Sequence, residues 1–267
     1  MRKRFWLPLL LALMLCLWGF FENTMLEITA LAVSGSDLPA AFDGFVIAQI
    51  SDFHNGKNGE AVVKHLSDLQ PDIIVMTGDL IDSQHTDMEA ALTFVEKAAA
   101  IAPCYYVPGN HEAWVREYDT FQTRLQSAGV SVLRNEVLPL ERDGQRICLA
   151  GIDDPGFLGE SIFSKKLAQL KTEDYCILLS HRPEYFDLYC QEEFDLVLSG
   201  HAHGGQIRIP FLGGIVAPGQ GLFPDYDTGL FVRDRTSMVV SRGLGNSVIP
   251  VRLNNPPELV LITLICQ

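Results

Sequence analysis

Short apolar runs separated by polar, glycine-bearing turns set the rhythm of the first 200 residues. Val46–Ile50, Ile73–Met76, Tyr105–Val107, Cys176–Leu179 and Leu196–Leu198 are nearly continuous and only three to five residues long. Runs of this kind predict parallel strands buried on both faces. Glu60–Leu69 places Ala61, Val62, Leu66 and Leu69 near a 3.6-residue period, which predicts a helix stopped by Pro71. Asp87–Ala100 and Tyr118–Ala128 predict two more, the second closed by Gly129, and Phe163–Leu170 predicts a fourth. Leu26–Val33 reads as an opening strand. Ser131–Leu133, Val137–Leu140 and Ile147–Ala150 read as short strands, the last two joined across Asp143-Gly144, a hairpin signal. Beyond Ile207, strands broken by Gly, Pro and Asn predominate. An alternating βα first half followed by a mostly β last third predicts a mixed-sheet α/β or α+β domain. Neither Gly-x-Gly-x-x-Gly nor a P-loop occurs, so a doubly wound dinucleotide fold is not expected.

Each of the five runs ends in residues able to bind a metal. Val46–Ile50 leads to Asp52 and His54, Ile73–Met76 to Gly78-Asp79, and Tyr105–Val107 to Asn110 and His111. Cys176–Leu179 leads to His181, and Leu196–Leu198 to His201 and His203. Ligands of open α/β sheets sit just beyond the carboxyl ends of such strands. In extended chain, residues two apart point the same way, so Asp52 with His54, and His201 with His203, can each face one ion. The two oxygens of Asp79 allow it to bridge two metals. Five of the seven histidines fall at these strand ends, while His65 and His85 do not. The set of Asp, His and Asn suits Mn, Fe, Zn or Mg.

The N-terminus adds a different signal. Arg2-Lys3-Arg4 precedes Phe5–Phe21, an uncharged run ending at Glu22. Seventeen helical residues reach roughly 25 Å, the short end of what spans a bilayer. A small-x-small cleavage site does not follow directly, so the pattern points to an uncleaved anchor rather than a signal peptide. This divides the chain into an anchor or signal segment, 1–23, and a body, 24–267. The basic cluster on the cytoplasmic side would place the body outside. Apolar residues make up 48% and charged residues 20%, as in a globular protein with a sizeable core. Net charge is −13; since the first 21 residues carry only three cations, the remainder sums to −16. A body that acidic repels polyphosphate backbones and disfavours a nucleic-acid partner. The six cysteines form no Cys-x-x-Cys pair and read mainly as buried thiols.

Taken together, Asp52-x-His54, Gly78-Asp79, Gly109-Asn110-His111-Glu112, His181 and Gly200-His201-Ala202-His203 resemble, in order, the five blocks of the calcineurin-like metallophosphoesterases. Gly204-Gly205-Gln206, Gly219–Pro224 and Ser241–Asn246 resemble a membrane-associated bacterial branch of that family. The resemblance implies a four-layer αββα sandwich with two mixed sheets and a dinuclear site. It implies that Asp52, His54, Asp79 and His203 hold one divalent ion. Asp79, Asn110, His181 and His201 would hold the other, Asp79 bridging, with His111 beside the leaving-group oxygen.

The function expected is a monomeric hydrolase using a metal-activated hydroxide on a phosphoester. The five blocks contain no Arg or Lys clamp, which favours phosphodiesters or pyrophosphates over monoesters. Arg182, Arg242 and Arg252 could reach the substrate, but read first as surface salt bridges. The anchor suggests a lipid-linked or envelope substrate. Alternatives are a UDP-2,3-diacylglucosamine-type pyrophosphatase and a non-catalytic metal-binding scaffold.

Overall fold

Adjacent residues of one strand feed different cores, and this is why the strands read as unbroken apolar runs. In the computed structural model, which describes residues 10, 14, 18–19, 22–246 and 252–267, two six-stranded mixed sheets face each other. Their strands are β1 (Glu27–Gly35), β2 (Val46–Ile50), β3 (Ile73–Thr77), β4 (Cys104–Val107), β5 (Val130–Val132), β6 (Glu136–Arg142), β7 (Gln145–Gly151), β8 (Cys176–Leu179), β9 (Leu196–Ser199), β10 (Gly229–Arg233), β11 (Thr236–Val240) and β12 (Glu258–Cys266). The helices are α1 (Gly59–Leu69), α2 (Met88–Ala99), α3 (Asn110–Ala113), α4 (Tyr118–Ser127), α5 (Pro155–Leu158), α6 (Glu160–Leu167) and α7 (Phe186–Gln191).

The first sheet runs β1-β12-β2-β3-β4-β5, with β2 to β5 mutually parallel and β12 antiparallel to β2. The second runs β10-β11-β9-β8-β7-β6, with β7, β8, β9 and β11 parallel between antiparallel edges. Ile73 and Val75 of β3 enter the core between the sheets, against Ile177, Leu179, Leu196 and Leu198. Their neighbours Ile74 and Met76 enter the outer core with Val62, Leu66, Leu92, Val95 and Phe121 of the helices. On the far side Leu178, Val197 and Met238 pack with Phe163, Leu167, Phe186 and Tyr189. Period-two alternation thus divides each strand between an inter-sheet and a helix-facing core, and the layers are α, β, β, α.

Several expectations shift in detail. The helix expected over 163–170 spans Glu160–Leu167, starting at Gly159 with φ 74° and ending one turn early. The short helices α3, α5 and α7 fall below the length at which periodicity speaks. Beyond Ile207, two-stranded ribbons pair Arg208–Ile209 with Gly213–Gly214 and Val216–Ala217 with Gly221–Leu222. The five described cysteines are free thiols, Cys104, Cys148 and Cys176 buried; Cys16 lies outside the described residues.

The expected membrane-anchored, extracytoplasmic placement is corrected. Among the described residues no helix is long and apolar enough to cross a membrane. The 12-residue α2 is the longest of the helices named above, and at 1.5 Å per residue it reaches about 18 Å against a hydrocarbon core of about 30 Å. Most of the run 5–21, on which the anchor rested, lies outside the described residues. Where the chain resumes, Glu22 accepts a hydrogen bond from the Asn255 amide at 3.2 Å.

Candidate metal centre

The parallel strands of both sheets end at one edge, and the loops leaving them meet there. Asp52, His54, Asp79, His201 and His203 all leave their strands with positive φ, between 46° and 65°. For residues with a Cβ such backbone costs of order 1–3 kcal/mol each and survives only where the surroundings enforce it. Glycine makes the close approaches possible. A Cβ on Gly78, whose φ is 92°, would lie 2.5 Å from His181 Nδ1, and one on Gly109 would overlap Asp79.

Three overlapping groups result, each with donor atoms within 4.8 Å of one another: Asp52, His54 and His203; Asp79, His181 and His201; and His54, Asp79 and His111. In the first group, Asp52 Oδ1 lies 3.3 Å from His203 Nε2 and 3.9 Å from His54 Nε2. In the second, Asp79 Oδ2 lies 3.2 Å from His181 Nε2, and His201 Nδ1 lies 3.1 Å from the same nitrogen. Asp79 Oδ2 also lies 3.7 Å from His54 Nε2, so one carboxylate belongs to both groups. Asn110 lines the same cleft, its Oδ1 buried with no hydrogen-bond partner. His65, half-buried on α1, and the exposed His85 belong to none of these groups.

Backbone contacts fix the rings. His181 Nδ1 donates to the Thr77 carbonyl at 2.7 Å, which leaves Nε2 facing Asp79. His111 Nδ1 accepts from the Ser83 amide at 3.0 Å, so in the neutral ring the proton sits on Nε2. The His111 amide donates to Asp79 Oδ1 at 2.9 Å. Burial lowers His54 and His201 and pushes His203 down to about 3, so these rings are neutral at pH 7. Burial also opposes charge on His181, but Asp79 outweighs it and carries the ring up to about 10. Asp79 itself falls well below the usual carboxylate range; burial resists this and the His181 charge overcomes it.

These residues fit a pair of hard or borderline cations. The donors are two carboxylates, four imidazoles and one amide oxygen. Several make no hydrogen bond within the protein: Asn110 Oδ1, His203 Nδ1 and both nitrogens of His54 are buried without one. Buried polar atoms rarely stay unpaired without a ligand to satisfy them.

Two further residues stand near the centre, one with a part that sequence reading does not assign and one for which it preferred a different place. Glu112 is fully buried, and its carboxylate accepts from the amides of Asp79 (2.9 Å), Gly109 (2.8 Å) and Ile81 (3.1 Å). It thereby ties the loop after β3 to α3. Burial, then the Asp79 charge, push its pKa up to about 7. Arg182, expected on the surface, lines a cleft of about 300 Å³ with His111, Trp114, His201 and Gly219. The other two arginines do not line the cleft: Arg242, largely buried, reaches the exposed Glu27 at 3.2 Å. Arg242 pairs with the buried Glu258 at 2.8 Å, and Arg252, fully buried, donates to backbone carbonyls of residues 242 and 243.

Comparison with known proteins agrees with this arrangement. Residues 45–205 match the model of the calcineurin-like phosphoesterase family. An uncharacterized metallophosphoesterase of Bacillus subtilis (strain 168), YkuE, is 32% identical over 253 residues, which is 92% of this chain and 87% of that protein. A transmembrane protein with metallophosphoesterase domain from Danio rerio is 31% identical over 85% of this chain, which spans 54% of its length. In fold, the chain is similar to TT1561 of Thermus thermophilus (TM-score 0.53, 16% identity, 74% of this chain and 89% of that one). It is also similar to phosphopantetheinyl hydrolase from Mycobacterium tuberculosis (TM-score 0.52, 13% identity, 78% and 96%). With a family match over more than half its length, the chain belongs to the calcineurin-like phosphoesterases and is a metal-binding hydrolase of phosphoester bonds.

Proposed function

We propose that this hydrolase uses two divalent ions to cleave a phosphodiester or pyrophosphate bond. The observation that carries the reading is Asp79, whose one carboxylate stands 3.7 Å from His54 and 3.2 Å from His181 and so joins the two donor groups. Asp52, His54 and His203 would hold one ion with Asp79; Asn110, His181 and His201 would hold the other with it. When bound, the pair would supply Lewis-acid charge and a nucleophile from water at neutral pH.

The remaining residues serve the substrate. His111 presents Nε2–H, which suits it to donate to the leaving-group or phosphoryl oxygen. Trp114 stands beside it, ring centroids 5.3 Å apart, and forms part of the cleft wall. Arg182 is the one cationic side chain lining the cleft among the described residues. A monoester dianion calls for more positive charge than that, whereas a diester or a pyrophosphate linkage carries less charge at the reacting phosphorus. With the anchor withdrawn, the substrate reading rests on the cleft alone. A scaffold would leave unexplained why His111 is oriented by Ser83.

The test is turnover of bis(4-nitrophenyl) phosphate and an aryl-substituted pyrophosphate by chelator-stripped protein reloaded with Mn, Fe, Zn or Mg. Wild type should regain activity with at least one ion, and Asp79→Asn should not. No turnover of either compound with any of the four ions would refute the proposal.

A further inference from the structure

Arg182 is gripped on one side and loosely engaged on the other. Its Nε and Nη2 donate to the two oxygens of the buried Asp154 at 2.5 and 3.1 Å, a bidentate pairing that fixes the guanidinium plane. Nη1 points away from that grip, 2.9 Å from His201 Nε2 and 3.3 Å from Glu184 Oε1.

The bond to His201 conflicts with a loaded metal site. His201 presents Nδ1 to the Asp79 group, 3.1 Å from His181 Nε2. An imidazole that gives its Nδ1 lone pair to a cation carries its proton on Nε2, and that N–H needs an acceptor. A guanidinium has only donors. Ligation through Nδ1 and the Arg182–His201 hydrogen bond therefore exclude each other. Glu184 Oε1, 4.0 Å from His201 Nε2, is an acceptor within reach of the ring. Nη1 then keeps Glu184 Oε1 at 3.3 Å but has one hydrogen without its former acceptor, and Arg182 lines the cleft with Asn110 and His111.

We propose that Arg182 binds the phosphoryl oxygens of the substrate, freed from His201 as that ring takes a metal and held in aim by Asp154. The proposal rests on the two-metal reading above. Because the ligand is a tetrahedral oxyanion, inorganic phosphate serves as the probe.

Phosphate is titrated into the full chain, metal-loaded and metal-free, for wild type, Arg182→Ala and Arg182→Lys, with metal content and thermal melting measured on the same samples. Both variants should keep two ions per chain. Arg182→Ala should bind phosphate about ten- to a hundred-fold more weakly, as expected for loss of a charged hydrogen bond. Arg182→Lys, which keeps the charge without the fork, should fall between, and it carries the test alone if the alanine variant does not fold. Metal-free wild type should bind phosphate no better than loaded Arg182→Ala. Phosphate affinity within two-fold of wild type in loaded Arg182→Ala overturns the proposal. So does loss of metal from either variant, which would make Arg182 a positioning residue for His201. Loaded wild type that binds phosphate through Arg182 yet hydrolyses no phosphoester would sink the proposed function and leave this assignment standing.

Discussion

His111 differs from the other four strand-end histidines in what its ring touches. Ser83 holds its Nδ1, and its backbone amide, not its ring, bonds Asp79. His111→Ala should therefore retain both ions by metal analysis while kcat on the aryl diester falls about 10²- to 10⁴-fold. The two donor groups should also respond differently to acid. In the metal-free protein His181 is raised to about 10, so at pH 6–8 it holds a proton that an incoming cation must expel. His203, pushed down to about 3, is already neutral in that range, and burial lowers His54 in the same direction. Apparent affinity at the Asp79–His181–His201 group should rise about ten-fold per pH unit, and at the Asp52–His54–His203 group it should stay nearly flat. Calorimetric metal titrations at pH 6 and pH 8 read both slopes; two equal slopes would contradict this account.

Glu112 couples β3 to the turn that opens α3, receiving amides from both. Glu112→Ala would strand three buried donors and should cost on the order of 3 kcal/mol or more. A lowered Tm together with reduced metal content would show it, whereas a variant that melts like wild type would not fit. That role was not legible in the sequence, although Gly109-Asn110-His111-Glu112 stood out there as a motif. Spacing tells which way a side chain leaves its strand, but not which amides of a neighbouring loop it meets 30 residues away. For the same reason sequence could not choose between surface and substrate for Arg182, since its partners Asp154 and His201 arrive from other strands. By contrast β2, β3, β4, β8 and β9 were readable almost to the residue, because burial on both faces leaves no polar position to blur them. The seven ligand candidates could be found from their strand ends. Short α3, α5 and α7 could not, having one or two turns in which no period can repeat.

The first sheet closes in an order unlike that of the chain. β12 (Glu258–Cys266) lies between β1 and β2, in register with β1 from Glu27↔Glu258 to Gly35↔Cys266 and antiparallel to β2. Its Leu259, Val260, Ile262 and Leu264 are fully buried. Deleting residues 258–267 removes an interior strand and should abolish cooperative unfolding, as seen by circular dichroism on heating. A truncated chain that still melts sharply would mean β1 can pair directly with β2. The same strand has a bearing on how the protein is made. β12 is synthesised after every other strand of both sheets, so β1 waits more than 220 residues for its partner. Such distant pairing is slow and leaves a bare strand edge while it waits. A ribosome that stalled near residue 250 would release a polypeptide with every metal-binding side chain in its sequence, the second sheet complete and the first still missing an interior strand. The half of the centre carried by Asp52, His54, Asp79 and Asn110, which leave strands of that first sheet, is therefore expected to form only once β12 has been made.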